Sequence, residues 1–301
     1  MFNTPILFIV FNRPGPTQKV LDMLESIQPS QLYITADGAR KNNENDIRNC
    51  NEVREIIKNI HWDCEVKYLL REENWGCKNA VSDAINWFFS NVDQGIILED
   101  DCLPNKSFFS FCETMLSAYK DDTQIMHIGG TNFQQEDFTL TESYYFSRIA
   151  HVWGWASWKR AWEHYKVDIA EYSKPQLKRW FRDYDFNPNS LLFWHKAFDS
   201  VKEHSINTWD YQWTYTIWKY NGLTIIPSKN LVTNIGFDEN ATHTSKGAED
   251  YAMLPMYDLN EMLHPKSKVV NLTADNYTFS KWYVKRTIPV RIIDLIKKVL
   301  K

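Results

Sequence analysis

Blocks of apolar and polar residues alternate along the first hundred residues of the chain. Short apolar runs of strand length are followed by stretches in which apolar residues recur at helical spacing. Strands are predicted at residues 6–11, 32–36, 65–70 and 95–98. The helices between them are predicted to begin at Thr17, to pass through Val53 and to cover residues 79–89. Strands alternating with helices predict an α/β fold with a parallel, doubly wound sheet.

The pattern changes after residue 102, where helices predominate. Helices are predicted at residues 107–119, 177–180, 191–204 and 209–220, and tryptophans at helical spacing favour another at 152–165. Strands are predicted at residues 125–130 and 223–227, followed by a polar loop at 230–247. Because no linker-like segment separates the two halves, we predict one domain over residues 1–280, with lobes meeting near residue 102.

The last residues, 281–301, form a basic tail of different character. Ile292, Ile296 and Val299 lie on one face of a predicted helix that also carries several lysines. Such an amphipathic helix can lie on an anionic membrane surface, or it can dock on its own protein with its lysines favoured by the helix dipole. Both interpretations remain open at this stage.

Bulk composition narrows the class of protein. A net charge of −4 over 301 residues gives no basic field for nucleic acid. Five cysteines, an odd number without a CxxC pair, argue against a disulfide framework and a zinc site. The apolar run at residues 5–11 is too short for a membrane span and lacks signal-peptide features, so we expect a cytoplasmic protein.

Polar turns follow three of the predicted strands. They contain Arg13, Asp37 and the acidic triplet Glu99, Asp100 and Asp101. In open α/β sheets, ligands bind beyond the carboxyl ends of the strands, so these side chains mark a candidate site. Three consecutive acids after a buried strand are costly unless they are neutralised, and carboxylate oxygens suit Mg²⁺ or Mn²⁺. The sequence therefore predicts a divalent cation that binds a diphosphate.

These motifs resemble the GT-A glycosyltransferases in residues and in order. The similarity is closest to the N-acetylglucosaminyltransferase I family, with bacterial family-2-like transferases nearby, and it spans most of residues 5–245. It rests on the Arg13 turn, on Ala36-Asp37-Gly38, on the acidic triplet with the following Pro104 and Phe108-Phe109, on His151-Val152-Trp153-Gly154-Trp155 and on Thr208-Trp209-Asp210.

The resemblance implies a role for each matching residue. Residues 1–102 become a Rossmann-like nucleotide-sugar lobe and residues 103–280 a mixed acceptor lobe. Asp210 is implied as the catalytic base, although the family's Asp pair is here Asp210-Tyr211, and Asp101 and His243 as metal contacts. The implied donor contacts are Arg13, Asp37, Glu99, Asp100, Trp153, Gly154 and Trp155.

The function predicted from the resemblance is an inverting, metal-dependent glycosyl transfer. The donor would be a nucleotide sugar, most simply a uridine diphosphate sugar, and the acceptor a glycan or lipid-linked glycan of a bacterial surface polysaccharide. The tail could place such an enzyme on the inner membrane face. Two alternatives stay open: a nucleotidyltransferase that forms sugar nucleotides, for which Asn12-Arg13-Pro14-Gly15 is a poor phosphate loop, and a non-catalytic carbohydrate-binding protein.

Overall fold

The protein is a mixed α/β structure, and the computed structural model describes residues 2–134, 138–236 and 254–283. The strands are β1 Ile6–Val10, β2 Gln31–Ala36, β3 Glu65–Leu70, β4 Gln94–Glu99, β5 Cys102–Pro104, β6 Ile125–Gly129, β7 Tyr144–Ser147, β8 Trp155–Trp158, β9 Leu223–Pro227 and β10 Val232–Asn234. The helices are α1 Pro14–Ile27, α2 Glu44–Ile56, α3 Gly76–Asn91, α4 Lys106–Ala118, α5 Lys159–Trp162, α6 Lys174–Asp183, α7 Leu191–Lys202, α8 Asp210–Lys219 and α9 Leu272–Trp282.

One eight-stranded sheet forms the frame, in the order β3-β2-β1-β4-β8-β6-β9-β7. The first four strands are mutually parallel, as the alternation of strands and helices predicted. Beyond β4 the sheet is mixed, because β8 pairs antiparallel with both β4 and β6. The parallel first part of the sheet is consistent with a Rossmann-like fold, and a short antiparallel pair of β5 and β10 lies beside it.

Apolar layers cover both faces of the sheet, and β1 shows why its residues form a continuous apolar run. Leu7 and Ile9 pack into one hydrophobic cluster, whereas Ile6, Phe8 and Val10 pack into the other. Successive side chains of a strand point to opposite faces, so a strand that is covered on both faces must be apolar throughout. The polar residues of this lobe are therefore left to the strand ends, where the candidate site lies.

Several elements of the second lobe differ from the prediction. The segment around Trp155 is strand β8 rather than a helix, and only Lys159–Trp162 is helical there. A buried strand is apolar on both faces, and its periodicity cannot be told from that of a buried helix. Strand β10 lies inside the segment predicted to be a loop. Strand β7 and helix α9 were not predicted.

Two predictions lie outside the described residues. The amphipathic tail helix at 289–301 and the metal contact His243 both fall there. Within the described residues, no helix has the length and apolar character needed to cross a bilayer. The division into one domain of two lobes and a tail stays a prediction.

Candidate nucleotide site

The carboxyl ends of β1 and β4 bring Arg13 to the acidic triplet. The two strands pair in parallel with Ile9 opposite Glu99, so the turns that follow them lie side by side. Arg13 Nη1 donates to Asp101 Oδ2 at 2.6 Å and lies 3.8 Å from Asp100 Oδ1. All three side chains are largely buried. The predicted convergence of Arg13 with the acids is thus present, with a direct ion pair at its centre.

Glu99 experiences an excess of negative charge. Burial raises the pKa of its carboxyl group to about 8, and the neighbouring Asp101, Asp100 and Asp210 add to that rise, while Arg13 opposes it. Asp210 therefore acts electrostatically on the triplet although it is distant in the chain. Arg13 pairs with Asp101 and lies near Asp100, while Glu99 experiences the combined effect of three neighbouring carboxyl groups. An anionic ligand therefore needs additional positive charge or protonated carboxyl groups to bind here.

Asp210 is fixed by the loop that precedes α8. It is the first residue of that helix, and Thr208 Oγ1 donates a hydrogen bond to its Oδ1. Asn207 Oδ1 in the same loop accepts from the backbone N–H of Lys78 at 2.9 Å. The loop before α8 is therefore tied to the first turn of α3, and this contact holds Asp210 on the side of the triplet.

Cys77, in the first turn of α3, links the parts of the site. Burial raises the pKa of its thiol well above the ordinary value, and the neighbouring Glu99, Asp210, Asp101 and Asp37 raise it further. These four carboxyl groups come from the ends of β2 and β4 and from the start of α8. The predicted residues Asp37, Glu99, Asp101 and Asp210 thus lie close enough to act electrostatically on one thiol, which stays protonated at neutral pH.

Asp37 holds the turn between β3 and α3. Its Oδ1 accepts from the backbone N–H of Trp75 at 3.0 Å. Its Oδ2 accepts from the Asn74 side-chain amide at 3.0 Å and from the backbone N–H of Gly76 at 3.1 Å. These bonds anchor the carboxylate of Asp37 to the turn. Its contact with the donor stays a prediction.

Gly38 allows this turn to approach the end of β2. A Cβ atom at residue 38 would lie 2.4 Å from the carbonyl carbon of Glu73, and backbone cannot move aside as a flexible side chain does. We expect Gly38→Ala to lower the free energy of unfolding by about 1–3 kcal/mol, measured by urea denaturation. Gly15→Ala is the matched control: a Cβ atom at residue 15 would meet nothing within 4 Å, and alanine favours helix α1 by up to about 1 kcal/mol. Equal stability of the two variants would contradict the tight approach.

The segment Trp153–Trp155 serves mainly to pack the protein rather than to line the candidate site. Trp155 is fully buried, with its ring stacked on Trp209 at a centroid distance of 5.6 Å. Gly154 has φ +61°, and a Cβ there would lie 2.9 Å from Val232, so a larger residue would push β10 away from β4. Trp153 is partly exposed and contacts Phe133. Their predicted ligand contacts are untested, and the environment of Trp155 is that of the core.

Arg40 and Asp46 lie beside the end of β1 and were not predicted as site residues. Buried Asp46 accepts from Arg40 Nη2 at 2.8 Å and from Asn12 Nδ2 at 2.8 Å. Hydrogen bonds from Arg40 and Asn12 hold the pKa of the Asp46 carboxyl below its ordinary value. The Arg40 guanidinium lies 5.6 Å from the centroid of the Phe11 ring. Both residues belong to one charge-rich stretch, and only the hydrogen bond from Asn12 connects the pair to a distant part of the chain.

The described residues do not complete a metal site. Among them, no group of three His, Cys, Asp or Glu side chains is arranged to hold a cation. The predicted metal contact Asp101 is paired with Arg13 instead, and Gly236 packs closely against that pair. Mn²⁺ or Mg²⁺ at this site therefore stays a prediction, and no step is derived through it.

Comparison with known proteins gives distant structural matches only. No family model matches the chain, and no curated protein matches it. HddC from Yersinia pseudotuberculosis is 12% identical, with 55% of this chain and 80% of that chain covered and a TM-score of 0.33. A cytidylyltransferase from Leptospira borgpetersenii is 14% identical, with coverages of 54% and 63% and a TM-score of 0.32. A UDP-glucose pyrophosphorylase complexed with UDP-glucose is 10% identical, with coverages of 74% and 90% and a TM-score of 0.34.

These matches contradict the predicted glycosyl transfer. None of the three structures is named as a GT-A glycosyltransferase, whereas a cytidylyltransferase and a pyrophosphorylase agree with the nucleotidyltransferase alternative. Their low identities and TM-scores carry no argument about substrate, so the function proposed below rests on the site itself.

Proposed function

We propose that this chain is a transferase that binds a nucleotide sugar at the carboxyl ends of β1, β2 and β4, and that its reaction is nucleotidyl transfer. The observation that carries the proposal is the convergence of Arg13 with Asp37, the acidic triplet and Asp210. Charged side chains from separate elements gather at the edge of the sheet where ligands bind in open α/β folds. Perturbed carboxyl groups at such a place are typical of functional sites.

The proposed chemistry uses the side chains in two ways. In nucleotidyl transfer, an oxygen of a sugar phosphate attacks the α-phosphorus of a nucleoside triphosphate, the bond to the β-phosphate oxygen breaks, and pyrophosphate leaves. Arg13 is the cation of the site, and its guanidinium can donate to phosphate oxygens as negative charge moves to the leaving group. Carboxylates such as Asp210 can accept hydrogen bonds from ribose or sugar hydroxyl groups, and a protonated Glu99 adds no charge against the phosphates.

The proposal is tested by the reaction in both directions. We expect the purified protein to release pyrophosphate from a nucleoside triphosphate and a sugar 1-phosphate, and to form the triphosphate from the nucleotide sugar and pyrophosphate. The four common nucleotides are tried with and without Mg²⁺. We expect Arg13→Lys to lower kcat/KM by about 100-fold, because an ammonium cannot reproduce a bidentate guanidinium.

Exposed Tyr220, in the turn after α8, provides a control. Tyr220→Ala should retain the wild-type rate. If the wild-type protein binds a nucleotide sugar but exchanges pyrophosphate in neither direction, nucleotidyl transfer is rejected and nucleotide binding survives. If it binds no nucleotide at all, the whole proposal fails.

A further inference from the structure

Trp75 stands apart from the other tryptophans of the described ranges. It alone among them is exposed, with half of its surface accessible, while most of the others fill the two cores. An exposed aromatic ring on its own has no special meaning, since single apolar residues are common on protein surfaces. Trp75 is distinguished by the contacts that hold it in place and by its position.

Hydrogen bonds and a neighbouring guanidinium hold Trp75 in place. Its backbone N–H donates to both carboxylate oxygens of Asp37, at 3.0 and 3.1 Å. The Arg71 guanidinium lies 5.0 Å from the ring centroid, and Arg71, itself only 7% exposed, is fixed by an ion pair of 2.6 Å with Asp83. A ring that is already ordered loses little conformational entropy when a ligand stacks on it.

The position of Trp75 is at the margin of the proposed nucleotide site. It directly precedes α3 and is hydrogen-bonded to Asp37, and it lies two residues before Cys77, on whose thiol Asp37, Glu99, Asp101 and Asp210 act electrostatically. Trp75 is therefore joined to the site through Asp37 on one side and through the first turn of α3 on the other. A planar group bound here would lie at the β2 and β3 end of the site, away from Arg13 in the turn after β1.

We propose that Trp75 is the stacking platform for the nucleobase of the bound nucleotide, a role that rests on the proposed function. The site needs three kinds of contact for a nucleotide: a cation for the phosphates, acceptors for hydroxyl groups, and a flat apolar surface for the base. Arg13 and the carboxylates provide the first two. Trp75 provides the third, and the Arg71 guanidinium packs against its ring. Stacking tolerates any base, so base identity is read by other contacts.

Calorimetric titration separates stacking from a structural effect. The probes are the nucleoside diphosphate that the wild-type protein binds most tightly, among those of uridine, cytidine, guanosine and thymidine, and inorganic pyrophosphate, which has no base. We expect Trp75→Ala to bind the nucleoside diphosphate about 10- to 100-fold more weakly, from a stacking contribution of about 1–3 kcal/mol. Pyrophosphate should bind the variant as it binds the wild type. Trp75→Phe should restore most of the affinity, and Tyr220→Ala should change neither ligand.

Each other outcome overturns a distinct claim. Unchanged nucleotide affinity in Trp75→Ala rejects the platform and leaves the nucleotide site intact. An equal loss for the nucleotide and for pyrophosphate means that Trp75 merely supports the turn around Asp37, and this also rejects the platform. A wild-type protein that binds no nucleoside diphosphate rejects the nucleotide site, and the platform with it.

Discussion

Replacing Arg13 with alanine is expected to lower the free energy of unfolding by about 3 kcal/mol at pH 8. Arg13 is the cation paired with Asp101 at 2.6 Å, and it also opposes the raised pKa of Glu99. The side chains of Arg13 and Asp101 are 14% and 20% exposed, so water screens the remaining charges poorly. Without the guanidinium, four carboxyl groups repel one another in a region that already holds Glu99 partly protonated.

The loss of stability should depend on pH in a defined direction. Removal of Arg13 raises the folded-state pKa of Glu99 further above its unfolded value, so the folded protein keeps a proton that the unfolded chain releases. That difference costs stability as the pH rises and vanishes where the carboxyl groups are protonated in both states. The deficit of Arg13→Ala should therefore be small near pH 4 and largest near pH 8, as measured by urea denaturation.

A double variant is the control for this result. Adding Asp101→Asn to Arg13→Ala removes the charge that Arg13 neutralises, and it should recover a large part of the stability at pH 8. Asp101→Asn alone should destabilise less than Arg13→Ala, because it relieves repulsion within the triplet. An Arg13→Ala protein as stable as the wild type at pH 8 would mean that solvent screens these charges, and the electrostatic description of the site would be wrong.

Two buried histidines are expected to make the folded protein less stable as the pH falls, against an opposing contribution from the buried acids Glu99 and Asp275. Burial lowers the pKa of both His127 and His151 to about 3. His127 Nδ1 accepts from Trp213 Nε1 at 3.2 Å, so its Nε2 carries the proton that is donated to the His151 carbonyl oxygen at 3.1 Å. Protonation of Nδ1 would turn an acceptor into a donor facing another donor, which adds to the cost of burying the charge.

The sign follows from the depressed folded-state pKa. Below the unfolded value of about 6.5, the unfolded chain takes up protons that the folded protein refuses, so stability is lost as the pH falls. Each histidine accounts for roughly 2 kcal/mol between pH 7 and pH 5, and the pair for about 4 kcal/mol of a total stability that is typically 5–15 kcal/mol. Asp275 and Glu99, whose pKa values are raised to about 6 and about 8, act in the opposite direction.

A comparison of variants isolates the histidine contribution from these opposing acids. In His127→Gln, the amide oxygen can accept from Trp213 and the amide nitrogen can donate to the His151 carbonyl, with no group that titrates. The stability of His127→Gln relative to the wild type should rise by about 2 kcal/mol between pH 7 and pH 5. A difference that stays constant over this range would show that His127 takes up its proton in the folded state near its ordinary pKa.

The first lobe followed from sequence because its signals are local. The predicted strands 6–11 and 65–70 correspond to β1 and β3, and turn residues mark their ends. Strand β1 is covered on both faces and is therefore apolar throughout, whereas β3 lies at the edge of the sheet and is partly exposed. The position of Glu99 at the end of β4 and of Asp101 just beyond it followed from the same pattern. In the second lobe the apolar run at β8 gave the wrong element, because residues buried on all sides fit a strand and a helix equally well.

The sequence by itself determined which side chains stand at the strand ends, and so which edge of the sheet carries the candidate site. Only the tertiary structure decided their partners: Arg13 with Asp101, Asp37 with the turn at Trp75, and Asp210 beside Glu99. The physical reason is the distance along the chain over which each kind of interaction acts. Burial imposes a period that is readable over a few residues, whereas an ion pair or a raised pKa depends on groups brought together from distant parts of the chain.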